Sequence, residues 1–152
     1  MKLRLAMRRD AADLADVHAL CFDMPWSVAD IGAVMAGAGT LGIVCEDDDQ
    51  PRGFILARAV ADEAEVLTLA VDPAVRRQGV GRALLIAALA MAAERGAEVA
   101  FLEAAHDNAA ALALYAACGF EIAGSRKAYY ARPGGDRADA VMLRRTLNRT
   151  TA

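Results

Sequence analysis

The chain has 152 residues, 57% of them hydrophobic and 24% charged, and seventeen basic against twenty acidic side chains give a formal charge of −3 at pH 7. That length buries a real core in one domain without disulfides or a structural metal, and the apolar content excludes a disordered chain. Slight acidity excludes a general nucleic-acid surface, which needs clustered excess cations; three scattered cysteines, Cys21, Cys45 and Cys118, make neither a disulfide framework nor a zinc cluster and are expected as reduced core thiols.

No leader with a basic start and a small-residue cleavage site is read, and no apolar run has membrane length, so a cytoplasmic protein with no membrane partner is expected. Residues 2–7 alternate as a first strand, and Asp10 is placed to cap a helix with Leu14, Val17, Cys21 and Phe22 on one face. His18 lies near that face and reads as a packed side chain. Met24-Pro25-Trp26-Ser27 breaks the helix, and Ser27 with Asp30 three residues on reads as the cap of a short second helix ending near Met35. Trp26 fits either an aromatic plug under that turn or a wall of an acceptor groove.

Residues 40–45 and 53–60 read as strands on either side of a polar tip from Glu46 to Pro51, and Asp62-Glu63 turns the chain into a third strand over 65–71. The three should form an antiparallel meander. Asp72-Pro73 then favours a turn, and Arg76-Arg77-Gln78-Gly79-Val80-Gly81 opens a long Ala/Leu-rich helix over 80–95. Glycines let the backbone approach a ligand, and the first amides of a helix lack intrahelical partners, so this corner suits phosphate. Arg76, Arg77 and Arg82 add positive charge in an otherwise acidic chain, and a polyphosphate is the expected guest.

The helix ends on Arg95-Gly96, residues 98–103 form a buried strand, and His106-Asp107-Asn108 caps a helix that runs to 117 and stops at Cys118-Gly119. Strands over 119–125 and 138–143 follow, joined by a loop holding Tyr129, Tyr130 and Pro133-Gly134-Gly135; the tail from Thr146 is expected to fray. No repeat or linker divides the chain, which reads as one domain over 1–146 and a tail over 147–152. The element order predicts an α/β fold, α+β in character, with a mixed sheet and helices on both faces.

Three glycine-loop classes compete for this phosphate corner. A P-loop fails because no Gly-Lys-Ser/Thr stands at the required spacing. A dinucleotide fold has in its favour Gly79-Val80-Gly81 after a strand and Glu103 about twenty residues later. Against it, Leu84 replaces the third glycine and the loop follows a meander rather than opening a βαβ unit. The third class fits in detail. Arg76-Arg77-Gln78-Gly79-Val80-Gly81, with Asn108, Tyr115 and Gly119-Phe120 in register, resembles the pyrophosphate loop and following segment of the GNAT superfamily of acetyl-CoA-dependent N-acetyltransferases, over nearly the whole chain.

Within that superfamily the chain is most similar to the RimI group of ribosomal-protein alanine N-acetyltransferases. Pro25-Trp26-Ser27, Ala70-Val71-Asp72-Pro73, Leu102-Glu103, Asn108-Ala109-Ala110, Leu114-Tyr115, Tyr129-Tyr130 and Asp139-Ala140-Val141-Met142 carry that likeness. Ala105 departs from it, since the group more commonly has a larger polar or basic residue there.

The resemblance implies a mixed seven-stranded sheet in which two strands splay apart at Val71 and Glu103, acetyl-CoA as donor with CoA as product, and a protein N-terminus, such as that of a ribosomal protein, or a small amine as acceptor. It implies no metal, no nucleic-acid partner and a monomer. Main-chain groups of Leu69, Ala70 and Val71 would hold the pantetheine arm and polarise the thioester, Arg76 to Arg82 (through Arg77, Gln78, Gly79, Val80 and Gly81) the diphosphate, and Asn108 the arm again. Trp26, Tyr129 and Tyr130 would line the acceptor side.

Chemistry assigns the remaining roles. An α-amine with a pKa near ~7.7 to 8.0 must lose a proton before attack, and Glu103, at the end of an apolar strand, is the leading base, with partial burial expected to move its pKa toward neutrality. A carboxylate at the rim paired with an arginine is the competing reading. His106 is the reserve base. Asn108 and Tyr115 lie two helical turns apart on one face, and a phenol of pKa near ~10 protonates a leaving thiolate of ~8.5 only slightly uphill, so Tyr115 is the general acid. Cys118 is the candidate for a covalent route, though its place at a helix end facing the core argues against it. A small-amine acetyltransferase and a cofactor-binding module without turnover are the alternative functions.

Overall fold

The structure, a computed structural model, describes residues 1–131, 134–135 and 137–147, for 130 and 131 the main chain alone. Its elements are β1 Lys2–Leu5, α1 Ala11–Cys21, α2 Val28–Met35, β2 Thr40–Asp47, β3 Gln50–Val60, β4 Glu63–Val71, α3 Val80–Glu94, β5 Val99–Ala105, α4 Ala109–Ala117, β6 Glu121–Ala131 and β7 Arg137–Thr146. The strands form one mixed seven-stranded sheet in the order β1-β2-β3-β4-β5-β7-β6, with β4 and β5 parallel and the other neighbours antiparallel.

Period-two alternation sorts neighbouring residues onto opposite faces. Ile43, Ile55, Ala57, Ala100 and Leu102 pack with Leu84, Leu85, Ala88, Leu89 and Ala92 of α3. Val44, Phe54, Leu56 and Ala70 face the other way, against Leu14 and Val17 of α1 and Ile31 of α2. Alanines on the sheet-facing side of α3 let that helix lie close to the strands. Each of the fully buried leucines and isoleucines contributes about 1.5–3 kcal/mol in burial alone, so the two layers hold the sheet from both sides. Among the described residues, the second cluster draws its sheet residues only from β2, β3 and β4, and no helix covers that face of β5, β7 and β6.

Several boundaries differ from the sequence reading for identifiable reasons. The β2–β3 connection is two residues, Asp48 and Asp49, both left-handed at φ 50° and 63°, as a tight hairpin matching strand twist requires. Pro51 therefore lies inside β3 opposite Glu46, where a register shift between Cys45 and Glu46 accommodates it. Asp10 does not cap α1 through its side chain: Oδ2 accepts the Met7 N–H at 2.7 Å, and both oxygens take a bidentate Arg4 at 2.9 Å. Ser27 and Asp30 do form the expected reciprocal cap, at 3.0 and 2.9 Å.

The largest difference is β6, which continues to Ala131 and so carries Tyr129 and Tyr130 in a strand rather than a loop. Between the pairs Arg126↔Ala140 and Tyr130↔Ala138, three residues of β6 stand opposite Asp139 alone. That bulge hides the alternation on which a strand assignment depends. Gly119, at φ 88°, closes α4 in the left-handed region, and Phe120 is buried, so β6 begins only at Glu121. Leu147, read as the start of a frayed tail, is buried and donates its N–H to the Glu98 carbonyl at 2.8 Å. Residues 148–152 and Pro133 lie outside the described residues.

Candidate active site

The loop between β4 and α3 is shaped before any ligand arrives. Asp72 Oδ1 accepts the Ala74 N–H at 2.9 Å while Oδ2 meets Arg52 at 3.2 Å, folding Pro73–Val75 into a single 3-10 turn. Arg77 at φ 66° and Gly79 at φ 79° are both left-handed, so the chain doubles back around Gln78 and delivers Gly79 as the N-cap of α3. A Cβ on Gly79 would meet nothing within 4 Å, which places open space directly over its main chain. No side chain caps the helix. The amides of Val80, Gly81 and Arg82 thus face outward as donors at the positive end of the helix dipole. Val80 adds only its amide, its side chain being buried in the core, whereas Arg76, Arg77, Gln78 and Arg82 are exposed. At Gly81 a Cβ would lie 3.4 Å from Leu114 of α4 and 3.7 Å from Val71 of β4, so a small residue lets three elements converge below the loop.

Next to that corner the sheet opens. β4 and β5 pair only at Glu63↔Val99, Ala64↔Ala100 and Glu65↔Phe101, and beyond these the two strands run on unpaired with each other, as the implied splay requires. The Asp72 N–H bonds the Arg52 carbonyl at 2.7 Å, and from that pair the antiparallel alternation turns the polar groups of Ala70 toward Phe54 and those of Leu69 and Val71 into the gap. Ala70 is accordingly a correction to the expected set: its main chain belongs to the β3 ladder and its side chain is buried under α1. The Val71 carbonyl already receives the Cys21 thiol at 3.2 Å and Arg76 Nε at 3.3 Å. Cys21 is thus half-buried at the gap rather than a core thiol; Cys45 and Cys118 are buried, and all three are free.

Glu103 lies on β5 just past its last pair with β4, and Tyr115 lies on the other face of the sheet. Leu102 and Ala104 belong to the core under α3, so Phe101 and Glu103 point to the uncovered face. There Glu103, its side chain 23% exposed, stands 3.5 Å from Arg126 Nη2, which makes it a carboxylate at the rim paired with an arginine, the competing reading of the sequence. Together they line a cleft of about 510 Å³ with Arg58, Glu65, Phe101 and Met142. Tyr115 instead packs half-buried against the α3 side, its ring edge-on to Phe120 at 6.1 Å. Asn108 Oδ1 caps α4 by accepting the Ala111 N–H at 3.2 Å, leaving its amide nitrogen as the group able to reach a ligand. His106 is exposed, and its main-chain N–H ties the end of β5 to the Asp139 carbonyl at 2.9 Å. Among the described residues no cluster of His, Cys, Asp and Glu could hold a metal.

On the α1 side of the sheet Trp26 is half-buried, and its amide donates to His18 Nδ1 at 3.1 Å. With Nδ1 accepting, the neutral ring carries its proton on Nε2 and donates to Thr68 Oγ1, also at 3.1 Å. The imidazole stacks on Phe22 at 4.3 Å and Trp26 at 5.1 Å, and burial lowers its pKa. His18 is therefore packed as expected, yet it has a function the sequence reading missed, which is to fix the backbone of Trp26. A histidine in the last turn of a helix eight residues before the sole tryptophan was the available signal. Tyr129 is exposed, with the Arg126 guanidinium 5.0 Å above its ring; the Tyr130 side chain lies outside the described residues.

A profile of the acetyltransferase (GNAT) family matches residues 11–120. The "[Ribosomal protein bS18]-alanine N-acetyltransferase" of Escherichia coli is 37% identical over 119 residues, covering 78% of this chain and 79% of that protein. The "N-alpha-acetyltransferase RimI" of Mycobacterium tuberculosis is 38% identical over 144 residues, covering 91% and 87%. The crystal structure of the Escherichia coli ribosomal-protein-S18-alanine N-acetyltransferase superposes with a TM-score of 0.90 at 30% identity, over 97% of this chain and 94% of that one. A helix cradle of free amides, a sheet parted beside it and these likenesses agree: the chain is an N-acetyltransferase of the acetyltransferase (GNAT) family.

Proposed function

We propose that the protein acetylates the N-terminal α-amine of a protein, an alanine-starting ribosomal protein above all, using acetyl-CoA. The observation that carries this reading is the parting of β4 from β5 beside the Gly79 cradle, with Glu103 on one face of the sheet and Tyr115 on the other. Names of the relatives, which specify ribosomal protein bS18 and α-amine acetylation, support the acceptor. When bound, acetyl-CoA supplies an activated acetyl group and a thiolate leaving group.

Everything else is done by the chain. Amides of Gly79 to Arg82 and the exposed Arg76, Arg77 and Arg82 hold the diphosphate, a good match of fixed donors and charge to an anion. Main-chain groups of Leu69 and Val71 hold the arm, and an N–H aimed into the gap stabilises negative charge that develops on the thioester oxygen. Glu103, on the acceptor face, takes the ammonium proton directly or through water, and the neutral amine attacks. Tyr115, on the opposite face, gives its proton to the departing sulfur. Placing base and acid on opposite sides of the sheet keeps one from neutralising the other.

Incubation with acetyl-CoA and a peptide that starts with alanine followed by basic residues is expected to add one acetyl group at the α-amine, located by fragmentation mass spectrometry. No mass gain on any such peptide, with acetyl-CoA still binding by calorimetry, removes the acceptor and leaves the family.

A further inference from the structure

The base of this site is not free in the resting protein. Glu103 Oε1 is 3.5 Å from Arg126 Nη2, and the arginine arrives from two strands away. Residues opposite each other share a face, so Glu103↔Met142↔Gly124 and Ala105↔Ala140↔Arg126 place Arg126 on the face of Glu103, across β7. Its guanidinium is held there from below by the Tyr129 ring at 5.0 Å. That ring is in turn set by the β6 bulge: Ala128, at φ 51°, donates its N–H to Asp139 Oδ1 at 2.7 Å, and Arg137 reaches the Ala128 carbonyl at 3.5 Å.

We infer that Arg126 is a positioning residue, a resident cation that occupies Glu103 until the acceptor ammonium displaces it. The inference rests on the acceptor reading above. An incoming α-amine is an ammonium before it is a nucleophile, so it and Arg126 compete for one carboxylate in one cleft. A true acceptor offers the rest of its chain to the cleft and so displaces the arginine, which Tyr129 can still hold. A cation with nothing beyond its charge gains only what it takes from Arg126. The pair therefore sets a binding threshold that every acceptor ammonium has to exceed, and only an acceptor with contacts beyond its charge does so.

The test titrates an alanine-starting peptide by calorimetry onto the CoA-loaded protein, so that no turnover is needed, and compares wild type with Arg126→Met and Arg126→Lys. Loss of the competing charge is expected to tighten the peptide roughly two- to fivefold in Arg126→Met. Lysine should restore wild-type affinity, and the difference should shrink at roughly 0.5 M salt. CoA affinity should stay level across the three proteins, and methylamine should gain as much as the peptide does. A weaker or unchanged peptide Kd in Arg126→Met, or a lysine variant that behaves like methionine, overturns the inference. Peptide that binds but is never acetylated by wild type removes the proposed reaction while the Kd ratio still decides the role of Arg126; no peptide binding to any variant overturns both.

Discussion

The two sides of the gap between β4 and β5 are built from different material. On the side proposed for the cofactor the groups turned outward are main-chain ones: Gly79 to Arg82 at the start of α3, and Leu69 and Val71 along β4. On the side proposed for the acceptor they are side chains, Trp26, Glu103, Arg126 and Tyr129, each held by another side chain or by a bulge. Backbone geometry is fixed by the fold and survives most substitutions, so one cradle serves a whole family. Side chains can be exchanged singly, and that is where one acceptor is told from another.

The sharpest way to break this division is to remove the two groups proposed to move protons, one on each face of the sheet. Glu103→Gln and Tyr115→Phe are each expected to lower kcat by about 10²–10⁴ while the acetyl-CoA Kd stays within roughly twofold. Steady-state kinetics beside calorimetric titration would show it. A parallel loss of cofactor affinity in Tyr115→Phe would mean that the phenol serves binding, and the line between the two sides would have to be redrawn.

Gly79 tests the other side. At φ 79° a valine is strained by about 1–2 kcal/mol, and its branches would project into the space that the cradle leaves open. Gly79→Val is expected to raise the acetyl-CoA Kd about tenfold or more with little change in peptide affinity for the CoA-saturated protein. Equal damage to both affinities would show that the loop carries the acceptor side with it.

The same contrast explains what could be read from the sequence. Cofactor-side signals are local: a strand, a turn at Asp72-Pro73, two glycines and a helix are contiguous, and the structure returns them in that order. The Asn108 cap and the Ser27/Asp30 cap are likewise short-range. What escaped depends on contacts between distant residues. The Glu103 carboxylate meets an arginine twenty-three positions away through strand order that no local pattern states. His18 reaches Thr68 across fifty positions, and the second half of β6 reads as a loop in the sequence because its bulge is pinned by Asp139 from β7. Ala70 groups with its neighbours in the sequence because which amides face the gap follows only from the register with β3.

His18 sharpens the comparison through pH. Burial lowers its pKa in the folded chain, so the neutral ring is favoured there and the unfolded chain binds its proton first. The stability it contributes is complete above the ordinary histidine value near ~6.5 and is lost as pH falls from there toward the lower folded value. Urea unfolding is expected to show stability falling as pH drops below about 6.5, by at most about 1.4 kcal/mol per unit, and His18→Gln should flatten that slope. Asp10 acts in a separate range. Arg4 and the Met7 amide hold its pKa down, so its contribution is present above the ordinary carboxylate value and is lost only as pH falls below it. Because protonation would break the Nδ1 bond to Trp26, fluorescence of that sole tryptophan should change across the His18 range while cofactor affinity does not.

The smallest expected effect has the opposite sign to Gly79→Val. Ala128 is an exposed alanine at φ 51°, held there by Asp139. Left-handed backbone costs a residue with a Cβ about 1–2 kcal/mol, and glycine returns about 0.5–1 kcal/mol of that through its looser unfolded chain. Ala128→Gly should therefore stabilise the protein by about 0.5 kcal/mol in urea unfolding. Peptide affinity should fall slightly, because a freer bulge holds Tyr129 and hence Arg126 less firmly, and Asp139→Ala should lower it further. Were Ala128→Gly to destabilise the chain while leaving peptide affinity alone, the bulge would be a feature of folding with no part in the acceptor site, and the acceptor wall would reduce to Trp26 and Glu103.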